Sequence, residues 1–491
     1  MSFNPNLTYF VERLQGVSTN TFRLETQNKT TAKQNDIISF DLPSNAILNL
    51  RSLKVWCNAS CEAAASGGSA TAGARLPPID DLIERVEVSV GGVLLSQGTN
   101  FQNVLGEVMK AVQDEYCDSV VGHPEYVRQR SYVNGLGAGA GALLGTANED
   151  YPQLLPGGGV APARFCIQKF HGFLASADPK LLDTSIIPDI RVRLYMAADT
   201  VLTTSAGVAI GTAAAIVGPP AFEAGFATVG TGGGRYILTD IRATIEAIGL
   251  ADQTYDQMIA AQMGQQGFLE IPYKSFTSFQ ETHSGSSRFT VSTQSLDRVW
   301  VCWRKTDYNE QGAPIIVNGY KKEGAYINGA YLALGAGVAG TSVDLGLPQY
   351  DVGGVLGTNS EKYKSQYFNF IAPAENMRMQ LQLNGAYMPQ FSADLGELYG
   401  ITRNSLQGAR NAKEMSFDQY ANNYCVQAFR LNLPDSEYSR SISGLDTRSV
   451  NLQGIVRTEN TGGTPNLAIN IFTEQTECLR VGAGRAIEVI A

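Results

Sequence analysis

The chain has 491 residues, of which 44% are hydrophobic and 17% are charged, and its formal net charge is −9. This composition excludes a largely disordered protein, and the length favours two domains of about 200 to 250 residues each. The acidic balance argues against direct, sequence-specific binding of nucleic acid, because phosphate contacts require clustered lysine and arginine.

The cysteines and the apolar runs indicate a folded protein of the cell interior. The seven cysteines are scattered and form no CxxC pair, which favours reduced thiols. The N-terminal stretch contains Glu12 and Arg13 and lacks the apolar segment of a signal peptide. No run approaches the roughly 18 apolar residues of a membrane span.

The first predicted element is a short amphipathic helix. Leu7, Phe10, Val11 and Leu14 follow the spacing i, i+3, i+4, i+7 after a polar cap and a proline. This pattern predicts an N-terminal helical arm at 1–20. The arm either docks on its own domain or clips onto a neighbouring subunit, and the sequence leaves both open.

From residue 36 the apolar residues recur with a period of two, which predicts consecutive strands. The clearest hairpin is VEVSVGGVLLSQ at 86–97, where a Gly-Gly pair occupies the position of a two-residue turn. Thr99 and Gln102 then form a capping-box pattern that predicts the start of a helix. Further strands are predicted in FCIQKFHGFL, IPDIRVRLYM and RYILTDIRATIEAI.

A helix with Tyr255, Met258, Ile259 and Met263 on one side is predicted to lead into a second strand-rich half. Six segments there are predicted as strands, and a helix is predicted from Phe391. The strand segments are RFTVST, LDRVWVCWRK, QYFNFIA, NYCVQAFRLNL, VNLQGIV and LAINIFTEQTECLRV, together with a second hairpin in MRMQLQLNGAYMPQ.

The two halves contain a repeated motif. Residues 86–97 align with 379–390, and each segment carries a turn pair, Gly-Gly or Asn-Gly, that suits a type I′ hairpin. After a deletion of three residues, an LGE string follows in both halves. The matched positions are Gly92 with Gly385, Gln97 with Gln390, and Leu105, Gly106 and Glu107 with Leu395, Gly396 and Glu397. We infer an internal duplication.

Each half therefore has several short strands and one helix after a hairpin. This predicts a mainly all-β protein, with two tandem antiparallel β-sandwiches of jelly-roll type and a few short helices. The domain limits are predicted at 21–245 for the first jelly roll and 246–491 for the second. Two similar sandwiches in one chain would let three subunits form a ring with six similar edges.

Two strings carry a resemblance to a known family. They are FCIQKFHGFLASADPKLLDTSIIPDIRVRLYM and the terminal ECLRVGAGRAIEVI, with Leu479, Arg480, Val481 and Gly484 in the family's order. In these strings and in its organisation, the chain resembles the double jelly-roll major capsid proteins of the adenovirus, tectivirus and large DNA virus lineage. It lacks wording typical of the large-virus branch, which favours a polinton-like virus or virophage type.

The resemblance implies a structural protein of the virion, without a cofactor, that is assembled inside the host cell. It would form homotrimeric, pseudo-hexameric capsomers of an icosahedral shell, and the Gly-rich excursions at 122–160, 201–234 and 308–358 would form towers and subunit contacts. The implied partners are the protein itself, penton proteins and minor or cement capsid proteins. An internal membrane is left open.

Candidate chemical sites are weak in this sequence. A GxGxxG string at Gly335, Gly337 and Gly340 is not followed by a predicted helix, so a surface loop is expected there. The histidines His123, His171 and His283 are too far apart in sequence to predict a metal site. We expect Asp80 and Asp81 to be solvated edge charges.

A capsid subunit is therefore the leading hypothesis, and two other classes remain open. One is a jelly-roll glycan-binding spike or fibre component. The other is a sandwich enzyme acting on carbohydrate, which would need a pair of carboxylates in a cleft.

Overall fold

The structure is a computed structural model. It describes residues 17–63, 74–75, 79–95, 100–111, 163–198, 201, 203–204, 234–250, 261, 263–305, 315–317, 350–351, 355–356, 363–368, 370–374, 376–405, 417, 420–421, 424–432, 443–448, 452–459 and 467–490.

The first half contains eleven described strands, two helices and a 3₁₀ turn. The strands are β1 (Val17–Glu25), β2 (Ile37–Asp41), β3 (Ile47–Ala63), β4 (Ala74–Arg75), β5 (Ile83–Val90), β6 (Val93–Leu94), β7 (Ala163–Ile167), β8 (Leu181–Asp183), β9 (Ile190–Met196), β10 (Thr203–Thr204) and β11 (Gly234–Leu250). The helices are α1 (Gln102–Ala111) and α2 (Phe173–Ser176), and the 3₁₀ turn is Ile79–Leu82.

These strands form two main antiparallel sheets. One has the order β1-β11-β3-β7, with β8 also paired to β3, and the other has the order β2-β9-β5-β6. The period of two in the sequence produces this arrangement. In β9, for example, Ile190, Val192 and Leu194 are buried while Arg191 and Arg193 point to solvent. The apolar faces supply the core of a sandwich.

The second half contains thirteen described strands, one helix and two 3₁₀ turns. The strands are β12 (Phe268–Thr282), β13 (Ser286–Val291), β14 (Leu296–Lys305), β15 (Ile315–Val317), β16 (Tyr350–Asp351), β17 (Val355–Leu356), β18 (Tyr363–Ser365), β19 (Arg378–Leu383), β20 (Ala386–Asp394), β21 (Val426–Arg430), β22 (Leu452–Glu459), β23 (Leu467–Gly482) and β24 (Ile487–Ile490). The helix is α3 (Leu395–Ser405), and the 3₁₀ turns are Gln366–Phe368 and Ala483–Arg485.

The second half repeats the strand order of the first. Its sheets run β12-β23-β14-β21, with β24 also paired to β23, and β13-β22-β19-β20. Eight strands of the first half have counterparts in the second half, in the same chain order. The pairs are β1 with β12, β2 with β13, β3 with β14, β5 with β19, β6 with β20, β7 with β21, β9 with β22 and β11 with β23. Under this correspondence both sheets have the same order in both halves, and α1 and α3 each lie between the fifth and sixth matched strands.

The predicted fold class is thereby confirmed. Each half is an antiparallel sandwich of jelly-roll type built on the eight matched strands, with β8 or β24 added to one sheet, and the chain carries two such sandwiches in tandem. The small ribbons β4–β10, β15–β18 and β16–β17 lie outside the matched strands.

Several predicted limits differ from the structure. The border predicted at residue 245 falls inside β11, which pairs with β1 as far as Leu250. Residues 17–20 of the predicted arm belong to β1, not to a helix. Of the predicted bridging helix, only 261 and 263–266 are described, and they are helical.

Three local predictions were also wrong in part. The segment FCIQKFHGFL is a strand only as far as Ile167, and its end forms α2. The segment QYFNFIA begins with a 3₁₀ turn. The helix predicted from Phe391 begins at Leu395, because β20 continues pairing with β19 as far as Asp394.

Candidate functional site

The first repeated unit is the hairpin of β5 and β6 followed by α1. Gly91 and Gly92 form the two-residue turn with φ of +56° and +87°, as a type I′ turn requires. A side chain at Gly91 would also collide with Pro188, whose Cγ would lie 2.9 Å from the added Cβ. Gln97 lies outside the described residues.

The second repeated unit is the hairpin of β19 and β20 followed by α3. Asn384 and Gly385 form its turn with φ of +47° and +89°, so the two turns share one geometry. Gln390 is exposed in β20. It lies where the pairing of β20 with β19 changes register, between the pairs Leu381–Met388 and Met379–Ala393. Both hairpins predicted from the sequence are therefore present.

The LGE strings occupy different positions in the two helices. Leu105, Gly106 and Glu107 lie inside α1, which begins at Gln102, and all three are buried. A Cβ on Gly106 would lie 3.2 Å from Nε2 of His171, so the absent side chain lets the helix and the imidazole approach closely. The predicted cap residue Thr99 lies outside the described residues.

In α3 the string forms the first three residues of the helix, and only Leu395 is buried. Asp394 and Glu397 make a reciprocal capping box. The Glu397 N–H donates to Asp394 Oδ1 at 2.8 Å, and the Asp394 N–H donates to Glu397 Oε2 at 3.0 Å. Glu397 thus has a local role that the buried Glu107 does not share.

A continuous seam joins the two sandwiches along β12. The Asp178 N–H donates to the Pro272 carbonyl at 3.0 Å, and the Lys274 N–H donates to Ser176 Oγ at 2.7 Å. The rings of Phe173 and Tyr273 meet edge to face, with centroids 5.3 Å apart. Backbone hydrogen bonds and aromatic packing therefore fix one sandwich against the other.

A buried polar group lies at the centre of this seam. The Tyr273 hydroxyl donates to Glu477 Oε2 at 2.6 Å and lies 3.3 Å from the Leu95 carbonyl of the first sandwich. Burial raises the pKa of Tyr273, and the neighbouring Glu477 carboxylate adds to this effect. Burial also raises the pKa of Glu477, while its hydrogen bonds oppose the change. The hydroxyl thus stays protonated as a donor.

Further contacts extend the seam at both ends. The Asn100 N–H donates to Ser278 Oγ at 3.1 Å, and the Arg485 guanidinium donates to the Ser185 carbonyl at 2.7 Å. A Cβ added to Gly91 would lie 3.1 Å from Cδ1 of Ile487 in β24, so this strand packs close to the first hairpin turn. Sequence periodicity gave no signal for these contacts, because the residues that meet are far apart in the chain.

The acidic pair ahead of β5 is buried, so the expectation of solvated edge charges was wrong. Asp80 and Asp81 are 8% and 1% exposed and lie in the 3₁₀ turn, under α1 and the end of β7. Asp80 Oδ1 accepts the backbone N–H groups of Gln168 and Lys169 at 3.1 and 3.3 Å. Burial raises the pKa of both aspartates.

Other predicted site residues can be placed as follows. The arm residues Leu7, Phe10, Val11 and Leu14, the glycines Gly335, Gly337 and Gly340, and His123 lie outside the described residues. His171 follows β7 and His283 follows β12, in different sandwiches. Within the described ranges, no group of three or more histidine, cysteine or acidic residues could hold a metal ion.

Several large apolar side chains remain exposed on the described surface. Phe22 is 42% exposed on the edge strand β1, and Phe391 is 53% exposed on the edge strand β20. Leu181 in β8 is 43% exposed. Exposed apolar groups on strand edges are suited to contacts with other chains. None of the helices in the described part of the chain is long and apolar enough to span a bilayer.

Comparisons with known proteins give one consistent result. A scan against protein-family models found no match, and a search of curated proteins found none either. Solved structures do match, over nearly the whole chain, and their shared architecture is the double jelly roll.

Three of these structures come from viruses. VP54 of PBCV-1, fitted into a reconstruction of the virophage Sputnik, has a TM-score of 0.54 at 11% identity and covers 99% of both chains. The PBCV-1 virus capsid gives a TM-score of 0.52 at 11% identity, again covering 99% of both chains. The Faustovirus major capsid protein gives 0.50 at 10% identity and covers 97% of this chain and 92% of its own. The fold of this chain is thus the one these proteins have.

Proposed function

We propose that this chain is a major capsid protein, which assembles into homotrimeric, pseudo-hexameric capsomers of an icosahedral viral shell. The observation that carries the proposal is the pair of jelly rolls with one strand order in a single chain. The end-to-end likeness in fold to solved capsid proteins supports it. On this proposal the protein is located in the virion, and its role is structural, not enzymatic.

The geometry of the subunit suits a ring of three. Two similar sandwiches held side by side give each subunit two similar outer walls, so three copies around a threefold axis present six. The seam along β12 would keep these walls at a constant angle. A stable trimer needs interfaces of at least about 1,000 Å², to which the exposed apolar edge residues Phe22 and Phe391 would contribute.

We also propose an arm and a pair of domains with limits adjusted to the strands. The first domain would comprise 17–250 and the second 268–490, and residues 1–16 would form the arm. Its apolar residues Leu7, Phe10, Val11 and Leu14 would bind a neighbouring copy. Penton proteins and minor or cement proteins would be further partners.

The alternative of a glycan-binding spike or fibre component gains no support from the solved structures that match. A sandwich enzyme acting on carbohydrate would need two carboxylates facing a cleft. The buried carboxylates next to α1 are instead covered by protein.

The first experiment is native mass spectrometry of the purified full-length protein, with electron microscopy of the same sample. We expect a heat-resistant species at three times the chain mass that forms hexagonal arrays on concentration. A stable monomer at all concentrations would contradict the proposal.

A second experiment tests the arm. Phe10→Asp with Leu14→Asp places two charges on its apolar face and should abolish array formation while the trimer persists. The matched control, Thr8→Asp with Gln15→Asp, adds the same charge outside that face and should assemble normally. Equal behaviour of the two variants would remove the arm from the assembly mechanism.

A further inference from the structure

A lysine and two carboxyl groups meet in the interior beside α1. Lys110 Nζ lies 2.9 Å from Glu107 Oε1 and 3.7 Å from Asp81 Oδ1. The three side chains are 11%, 11% and 2% exposed, respectively for Lys110, Glu107 and Asp81. Asn103 holds this geometry, because its side-chain amide donates to the Asp81 carbonyl at 3.1 Å and ties the 3₁₀ turn to the helix.

The two aspartates of the 3₁₀ turn have different contacts, and it is Asp81 whose Oδ1 lies 3.7 Å from Lys110 Nζ. Asp80 is engaged by the backbone N–H groups at the end of β7. Lys169 and His171 also line the small cavity beside these groups. The second oxygen of Asp81, Oδ2, is buried and accepts no hydrogen bond from the described residues.

Two properties of this site favour condensation. Burial, together with the nearby Glu107 and Asp80 carboxyls, holds the pKa of Asp81 well above its usual range against the opposing effect of Lys110, which favours the protonated form of this carboxyl. A cavity of about 10 Å³, close to what one water molecule needs, adjoins Asp81 and Lys110. A carboxyl group that favours its protonated form, a lysine and room for one water thus adjoin one another.

We propose that Lys110 and Asp81 condense to an intramolecular isopeptide bond, with Glu107 as the proton carrier. Glu107 first takes a proton from the Lys110 ammonium, and the neutral Nζ attacks Cγ of the protonated Asp81. Glu107 then passes its proton to the departing hydroxyl, which leaves as water, and takes the second proton from the nitrogen. An ammonium, a carboxylic acid and a carboxylate become an amide, a water and a protonated Glu107.

The reaction needs no oxidant, reductant or other reactant. It removes a buried cation whose desolvation is costly, and it joins the 3₁₀ turn to α1 covalently. The flexible Lys110 side chain needs only to rotate, because the three groups are already held together by the fold.

The test is the intact mass of the purified full-length protein under denaturing conditions. We expect the wild-type chain to be lighter than its sequence by one water molecule. Lys110→Arg and Glu107→Gln should each return the full mass of their own sequences. Asp81→Asn should lose ammonia in place of water, and Lys169→Arg, which changes the other lysine of this space, should keep the loss of water.

Tryptic digestion locates the bond. Trypsin cleaves after Arg85 but not after an amide-linked Lys110, so peptide 76–85 should be recovered attached to 86–128. A wild-type chain with its full sequence mass would overturn the proposal and leave a buried ion pair. A mass loss that survives in Lys110→Arg would do the same, because the missing water would then come from another position.

Discussion

The two sandwiches share one strand order but surround their helices differently. In the first, most residues of α1 are buried, and the helix covers the acidic residues Asp80 and Asp81. In the second, α3 buries one face and begins with the exposed capping box of Asp394 and Glu397. Both helices thus lie at the same point in the strand order, but the burial of their side chains differs because different segments pack against them.

The largest expected effect separates the two leucines of the repeated string. Leu105 is 0% exposed and Leu395 is 1% exposed. Replacing either with alanine should cost about 2 to 5 kcal/mol of stability. The loss should be greater for Leu105, because its neighbours in α1 are buried and cannot close the cavity, while the start of α3 can relax toward solvent.

Urea unfolding of Leu105→Ala and Leu395→Ala measures this difference directly. Equal losses, or a greater loss for Leu395→Ala, would show that the depth of the two helices does not govern their contribution to stability.

An intermediate effect is expected from the histidines. Burial, helped by Lys110 and Lys169, lowers the pKa of His171 from 6.5 to about 4. The unfolded chain therefore binds this proton first, and the stability that His171 contributes is present above pH 6.5 and is lost as the pH falls toward 4. The raised pKa of Asp80 acts in the opposite direction, because its proton uptake favours the folded state.

His171→Gln should therefore lose less stability than the wild-type protein between pH 6.5 and 4, by about 3 kcal/mol. His283→Gln is the matched variant in the second sandwich. Burial lowers the pKa of His283 too, but Glu281 opposes the change, so a smaller difference is expected. Thermal unfolding across this pH range compares the two, and a larger effect at His283 would contradict the comparison.

The smallest expected effect comes from the paired glycines. A Cβ on Gly106 would press on His171 at 3.2 Å, so Gly106→Ala should lose about 1 kcal/mol in spite of alanine's higher helix propensity. Gly396 is exposed and its added Cβ would make only an ordinary contact with Asp394, so Gly396→Ala should gain up to about 1 kcal/mol. Changes of the same sign in thermal unfolding would show that the two sites are alike.

The sequence predicted what depends on local pattern. Both hairpins were found, because the period of two and the Gly-Gly and Asn-Gly turns are encoded within a dozen residues. The repeat then led to two sandwiches. The start of α3 was missed because cross-strand pairing extends β20 to Asp394, and strand pairing is not visible in a single segment.

The charged interior was missed for a related reason. Asp80 and Asp81 precede a strand and look like surface residues, yet α1 and the end of β7 cover them. The seam was likewise not predicted, because Asp178 and Pro272 are far apart in the chain and meet only in the folded structure. The period of the apolar residues along the chain does not indicate which surfaces of the two sandwiches pack together.

The direct hydrogen bond between the Asp178 and Pro272 backbones has a mechanical consequence. This bond and the other contacts of the seam restrain the two sandwiches from rotating relative to each other. In a closed shell built from such subunits, the curvature would therefore arise at the contacts between subunits.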